Sequence, residues 1–223
     1  MKASAILFDL DGTLLDTLED LGRSMNNVLD RKGLPVHEID EYRYFVGEGL
    51  SMLVKRALPA NSGIDVFSDS LAAMRAEYNA HCRDNTAPYP GIPELLAKIS
   101  NAGLKMTVLS NKPHAMTVSM VAGCFPKVTF DIVNGGRENV PLKPNPAGAL
   151  EIARLLKIEP GQFVYLGDSK TDMETAVASK MYPVGALWGF RNAEELENAG
   201  AKALVASPDE LWKILKKSNY SIP

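Results

Sequence analysis

The chain has 223 residues, 46% hydrophobic and 23% charged, with a formal net charge of −3 and a pI near 5.7. That composition is globular and long enough to bury a real core, as one large domain or two small ones. It carries no basic stripe for nucleic acid, no polybasic cluster for a membrane surface and no apolar run of the ~20 residues a span requires, and its two cysteines, Cys82 and Cys124, are too few and too far apart for a disulfide framework.

The first element is an apolar run, Ala5-Ile6-Leu7-Phe8, which reads as a short buried strand ended by Gly12. A single Lys precedes it, unlike the start of a signal peptide, so a cytoplasmic location is expected. Asp9 and Asp11 follow the run. Asp is depleted in strands, and unpaired buried carboxylates are costly. A bare D-x-D can simply cap a turn. At the C-terminal end of a buried strand it lies where open α/β sheets bind ligands, and a divalent cation would neutralise both charges.

Residues 16–86 change texture. Leu18, Leu21, Met25, Val28 and Leu29 recur at helical spacing, and similar patterns run over 50–58 and 66–78. Turn signals fall at Gly33-Leu34-Pro35, Gly47-Glu48-Gly49 and Pro59 to Gly63. This predicts an all-helical module inserted after the first strand, able to fold over the two carboxylates as a lid. The remainder, 1–15 and 87–223, is expected to form the other domain.

From residue 87 strands and helices alternate. Strands are predicted at 105–109, 130–133, 163–166, 183–187 and 203–205, and helices at 92–102, 113–121, 146–156, 171–179, 193–199 and 208–217. Regular strand–helix succession predicts an α/β fold, a Rossmann-like parallel sheet with helices on both faces. Strand ends and loops then supply Ser110 and Asn111, Lys143 in Leu142-Lys143-Pro144-Asn145-Pro146, and Asp168 and Asp172 in Gly167-Asp168-Ser169-Lys170-Thr171-Asp172. His37, His81 and His114 are scattered without metal-ligand spacing and read as surface or cap-forming residues.

The segment D-L-D-G-T-L, followed in order by Ser110-Asn111, Lys143 and Asp168/Asp172, resembles the four motifs of the haloacid dehalogenase-like hydrolases, over essentially the whole chain. The inserted helical module matches the phosphatases with a helical cap at this point (subclass I). The resemblance implies that Asp9 is the nucleophile and forms an aspartyl-phosphate. It implies that Asp11 is the general acid and base, and that Mg²⁺ is held by the Asp9 and Asp168 carboxylates and the Asp11 carbonyl. Lys143 pairs with the phosphate and Asp9. Ser110 offers its hydroxyl to the phosphate, and Asn111, Gly12 and Thr13 offer backbone N–H groups. Asp172 either supports a metal-bound water or Lys143, or serves only as a helix N-terminal acid.

The segment Arg43 to Leu50, with Arg56-Ala57-Leu58, Tyr89-Pro90-Gly91, Ser110-Asn111-Lys112-Pro113 and Leu187-Trp188-Gly189, is similar to the phosphoglycolate phosphatases. Gly47, Glu48 and Gly49 are then candidates for holding a small anion, or form an ordinary glycine-capped turn. Trp188 reads as loop packing. One departure stands out: relatives end the helix after the last motif in Ala-Gly, whereas this chain has Ala178-Ser179-Lys180. The expected partner is a small phosphorylated metabolite, 2-phosphoglycolate first, in a monomer or homodimer. Pyrophosphate, nucleotide or sugar phosphates, a β-phosphoglucomutase-like mutase and a non-catalytic phosphate-binding regulator are the alternatives. A phosphonatase would need a cap lysine for a Schiff base, and Lys32 and Lys55 read as solvated helix-surface charges.

Overall fold

The computed structural model describes residues 2–218; Met1 and residues 219–223, assigned above to the domain with the sheet, lie outside the described residues. The described residues form two compact units, 2–15 with 88–218, and Asp16–Ala87. Among the described residues no helix is long and apolar enough to cross a membrane.

The first unit is built on a six-stranded parallel sheet of β1 (Ala5–Phe8), β4 (Lys105–Pro113), β5 (Ile132–Gly136), β6 (Phe163–Gly167), β7 (Tyr182–Ala186) and β8 (Ala203–Val205), in the order β5-β4-β1-β6-β7-β8. β1 is central and wholly buried, as its unbroken apolar run requires in a sheet covered on both faces. Its register sets Phe8 against Val108 of β4 and Leu166 of β6. The three strands therefore end side by side, which gathers Asp9, Ser110 and Asp168 along one sheet edge.

On one face Ala5, Leu7, Leu109, Phe163 and Tyr165 pack with Ala149, Ile152 and Ala153 of α7 (Ala147–Leu156) and Ala176 of α8 (Lys170–Ala178). Ile6 and Phe8 alternate to the other face. α5 (Ile92–Asn101) buries Ile92, Leu95, Leu96 and Ile99 and packs against β4 and α10 (Pro208–Ser218). The remaining helices of this unit are α6 (His114–Cys124) and α9 (Ala193–Asn198).

Two predicted strands differ by more than one residue. The strand expected at 130–133 is Ile132–Gly136, and β4 continues four residues past Leu109, with its register irregular between Leu109 and Pro113. That irregularity follows from site chemistry occupying the strand: residues 110–112 face polar partners instead of the apolar layer. Helix α8 ends as the Ser179-Lys180 departure foreshadows. Lys180 adopts the left-handed conformation, φ 61°, and its N–H and that of Met181 close the last turn onto Val177 and Ala176.

The second unit contains α1 (Leu18–Arg31), α2 (Tyr42–Phe45), α3 (Leu50–Ala57) and α4 (Ile64–His81), with a short 3-10 turn at Ile39–Glu41. α1 buries Leu18, Leu21, Met25, Val28 and Leu29 at the predicted spacing and packs on α4. Buried Asp20 accepts four hydrogen bonds from Asn85 and Thr86 at 2.7–2.9 Å, with a fifth contact at 3.1 Å, so the start of α1 is tied to the unit's last residues. His37 sits edge-on to Tyr42 and Phe45, with Nε2 2.7 Å from the Ala57 carbonyl. Lys32 and Lys55 are exposed. Two-residue strands, β2 (Leu15–Asp16) and β3 (Ala87–Pro88), pair where the chain passes between the units.

Candidate active site

Lys143 organises the site. Its side chain is 3% exposed, and Nζ donates to Asp9 Oδ1 and to Asp172 Oδ1, both at 2.7 Å. The loop that carries it is held by Asn111, whose Oδ1 accepts from Lys143 N (2.8 Å) and whose Nδ2 donates to Lys143 O (3.0 Å). The side chain of Asn111 thus positions the lysine loop, a role beyond the backbone contact expected of it. Ser110 is buried, and its Oγ accepts from Lys112 N at 3.1 Å.

Asp172 is fully buried and fully engaged. Oδ1 accepts from Lys143 and from the Tyr165 hydroxyl (3.2 Å), while Oδ2 accepts from Ser169 N (3.1 Å) and Ser169 Oγ (2.5 Å). One oxygen of Asp172 closes the capping box of α8 and the other holds Lys143, so Asp172 does more than sit at a helix N-terminus. The Ser-x-x-Asp spacing was the available signal for the cap; nothing in the sequence pointed to Tyr165.

Asp168 accepts from the Thr13 hydroxyl at Oδ1 (2.8 Å) and from Phe190 N at Oδ2 (2.8 Å). Gly12 and Gly189 make room for it. A Cβ at Gly12 would lie 2.3 Å from Asp168 Oδ2, and Gly12 also holds φ at +83°; one at Gly189 would lie 2.3 Å from Asp168 Cβ. Trp188 donates from Nε1 to the Thr13 carbonyl at 3.0 Å, which fixes the same loop and gives its expected packing role a polar anchor.

Gly12 and Thr13 differ from expectation in how they act. Their N–H groups are turned into their own loop, to Leu15 O (2.9 Å) and Leu10 O (3.3 Å), because the tight turn after β1 needs those bonds to close. Gly12 contributes space and Thr13 a hydroxyl to Asp168, in place of the backbone phosphate donors expected there. Asp11 ion-pairs with Lys112 Nζ at 2.9 Å, a contact that no spacing in the sequence signals.

Gly47, Glu48 and Gly49 belong to the second unit. Gly47 (φ 122°) and Gly49 (φ 86°) take positive φ at the start of α3, and Glu48 pairs with Arg56, which also donates to Phe45 O.

Three buried carboxylates, of Asp9, Asp168 and Asp172, place an oxygen each within 4.8 Å of one another. Lys143 is the cation that ion-pairs within this group. Burial, with the Asp172 charge beside it, pushes the Asp9 carboxyl well above the usual range against the pull of Lys143. Burial and Asp172 likewise push Asp168 up to about 7, although Phe190 N–H, the Thr13 hydroxyl and Arg191 oppose it. Burial alone would lower Lys143, but Asp172 and Asp9 outweigh it and hold the ammonium charged. Excess negative charge on hard oxygens, with no His or Cys in the group, fits an oxygen-ligated divalent cation such as Mg²⁺.

Residues 6–186 match the family model for haloacid dehalogenase-like hydrolases. A phosphoglycolate phosphatase of Colwellia psychrerythraea strain 34H is 28% identical over 97% of this chain and 98% of its own length. One from Psychrobacter arcticus is 31% identical over 88% of each. A solved structure from Lactobacillus delbrueckii subsp. bulgaricus, which carries the same name provisionally, superposes with TM-score 0.91 at 29% identity, covering 96% of this chain and 99% of that one.

Proposed function

The chain belongs to the haloacid dehalogenase-like hydrolase family, and on that premise we propose that it is a Mg²⁺-dependent phosphatase of small phosphate monoesters, with 2-phosphoglycolate as substrate. One observation carries the reading: Lys143 stands 2.7 Å from both Asp9 and Asp172, beside Asp168, at the ends of β1 and β6. That is a carboxylate nucleophile already aligned with a fixed cation.

In the proposed reaction an Asp9 carboxylate oxygen attacks phosphorus. The bond from phosphorus to the ester oxygen breaks, and Asp11 protonates the departing oxygen. Water then attacks the phosphorus of the aspartyl-phosphate, Asp11 takes a proton from it, and the Asp9 carboxylate is released. Lys143 pairs with the phosphoryl oxygens as charge builds on them, and Ser110 donates its hydroxyl to one. Asn111 and Asp172 keep Lys143 in place through its backbone and its ammonium. Asp9 and Asp168, with the Asp11 carbonyl, would hold Mg²⁺, which when bound supplies positive charge that removes the repulsion between the nucleophile and the phosphate dianion.

The second unit acts as a cap in this reading, with Gly47 to Gly49 offering backbone donors to the anion. The names of the Colwellia and Psychrobacter relatives support 2-phosphoglycolate as the ester. The test is phosphate release from phosphoglycolate, pyrophosphate, hexose phosphates and nucleotides, with Mg²⁺ and with EDTA. A metal-dependent kcat/KM at least about tenfold higher for phosphoglycolate is expected; comparable weak activity on all of them would overturn the substrate assignment.

A further inference from the structure

Lys112 is buried, its side chain 4% exposed, and its ammonium lies 2.9 Å from Asp11 Oδ1. Its backbone is fastened on both sides: its N–H donates to Ser110 Oγ (3.1 Å), and its carbonyl accepts from Thr117 Oγ1 (3.2 Å). The arm that presents this ammonium is therefore fixed by α6 and by the irregular end of β4. Taking a lysine and an aspartate out of water contributes little net stability compared with an apolar pair of similar volume. What such a pair does supply is orientation.

We propose that Lys112 is a positioning residue for Asp11, its ammonium holding the carboxyl group that protonates the leaving oxygen. The inference rests on the phosphatase reading. In the proposed arrangement the ion pair to Lys112 steadies Oδ1, and the second oxygen of Asp11 carries the transferred proton. Proton transfer tolerates little misplacement, because donor and acceptor must lie within hydrogen-bond reach. In this scheme Lys112 acts through Asp11, so its loss impairs protonation of the leaving group more than attack on phosphorus.

The experiment compares kcat/KM for p-nitrophenyl phosphate, 2-phosphoglycolate and glycerol 1-phosphate in Mg²⁺. It uses the wild-type protein, Lys112→Met, Lys112→Arg and Lys112→Gln. Nitrophenolate leaves as a stable anion and needs no proton, whereas both alkoxides do. kcat/KM reports the steps through loss of the leaving group. In Lys112→Met the aryl-to-alkyl ratio rises tenfold or more, equally for the two alkyl esters, and Lys112→Arg brings it part of the way back. In an Asp11→Ala background, Lys112→Met costs no further activity on the alkyl esters.

Equal losses on aryl and alkyl esters would overturn the proposal and make Lys112 structural. A loss confined to phosphoglycolate would also overturn it, pointing to contact with the substrate carboxylate. If Lys112→Met does not fold, the Arg and Gln variants carry the same ratio test. Loss of all turnover in Asp9→Asn tests the phosphatase reading separately: persistence there overturns that reading whatever the ratios show.

Discussion

Removal of Lys143 would leave the buried carboxyl groups of Asp9 and Asp172 without the ammonium they share. Breaking one side of a buried pair costs about 3–5 kcal/mol, so Lys143→Met is expected to lower the unfolding free energy of the metal-free protein, read from urea denaturation, by that order. It should lower kcat/KM by at least about 10²-fold, since a preorganised donor to the phosphoryl group is lost. Asp168 gives a pH prediction. Its folded pKa of about 7 lies above the unfolded value, so the folded state binds the extra proton between them. That contribution is complete below the unfolded pKa of roughly 3.9 and disappears as pH rises through about 7. Asp9 shifts the same way. In EDTA, Tm should therefore fall between roughly pH 5 and pH 8, and saturating Mg²⁺ should flatten the decline because it binds the charged carboxylates. Differential scanning fluorimetry across that range checks both; a metal-free Tm that climbs with pH would refute the assignment.

At the scale of elements, the end of α8 is a place where the chain accepts strain. Lys180 holds φ 61°, a conformation that crowds a side chain's Cβ and suits glycine. Lys180→Gly should stabilise the protein by about 0.5–1 kcal/mol, the relief being partly offset by the greater unfolded-state freedom of glycine, and raise Tm by about 1–4 °C. Asp20 is the converse case. Burial raises its pKa, but the Thr86 and Asn85 hydrogen bonds outweigh burial and hold it below the usual carboxylate value. Asp20→Ala removes every acceptor for those donors and should cost about 2–3 kcal/mol. Limited proteolysis at 82–87 should register the loosening as faster cleavage. The same elements show what the sequence discloses. β1 and α1 were legible because strict periodicity leaves few alternatives. Residues 39–45 were not, since short turns rich in charge have no period, and the burial of Tyr42 depends on Asn26, His37 and Phe45 meeting it in space. In the site, Asp9, Lys143 and Asp168 stood out as charges at strand and loop ends. Lys112 and Phe190 did not, because they meet Asp11 and Asp168 only in the fold, and Tyr165 did not, because it lies within the apolar run of β6.

At the scale of the whole molecule, a parallel sheet with its central strands in register brings together residues spread from Asp9 to Asp172. The inserted second unit leaves that register intact, because the chain departs and returns through β2 and β3. In the proposed function the chemistry belongs to the first unit and the choice of ester to the second. Substitution of Gly47 and Gly49 by Ala is then expected to raise KM for 2-phosphoglycolate by about tenfold while kcat/KM for p-nitrophenyl phosphate changes less, as steady-state kinetics would show. The most direct test of the central claim is phosphate release from 2-phosphoglycolate by the wild-type protein in Mg²⁺, by the same protein in EDTA, and by Asp9→Asn in Mg²⁺. Rapid release is expected in the first case and none above background in the other two. Undiminished release in EDTA, or by a verified Asp9→Asn protein, would contradict that claim.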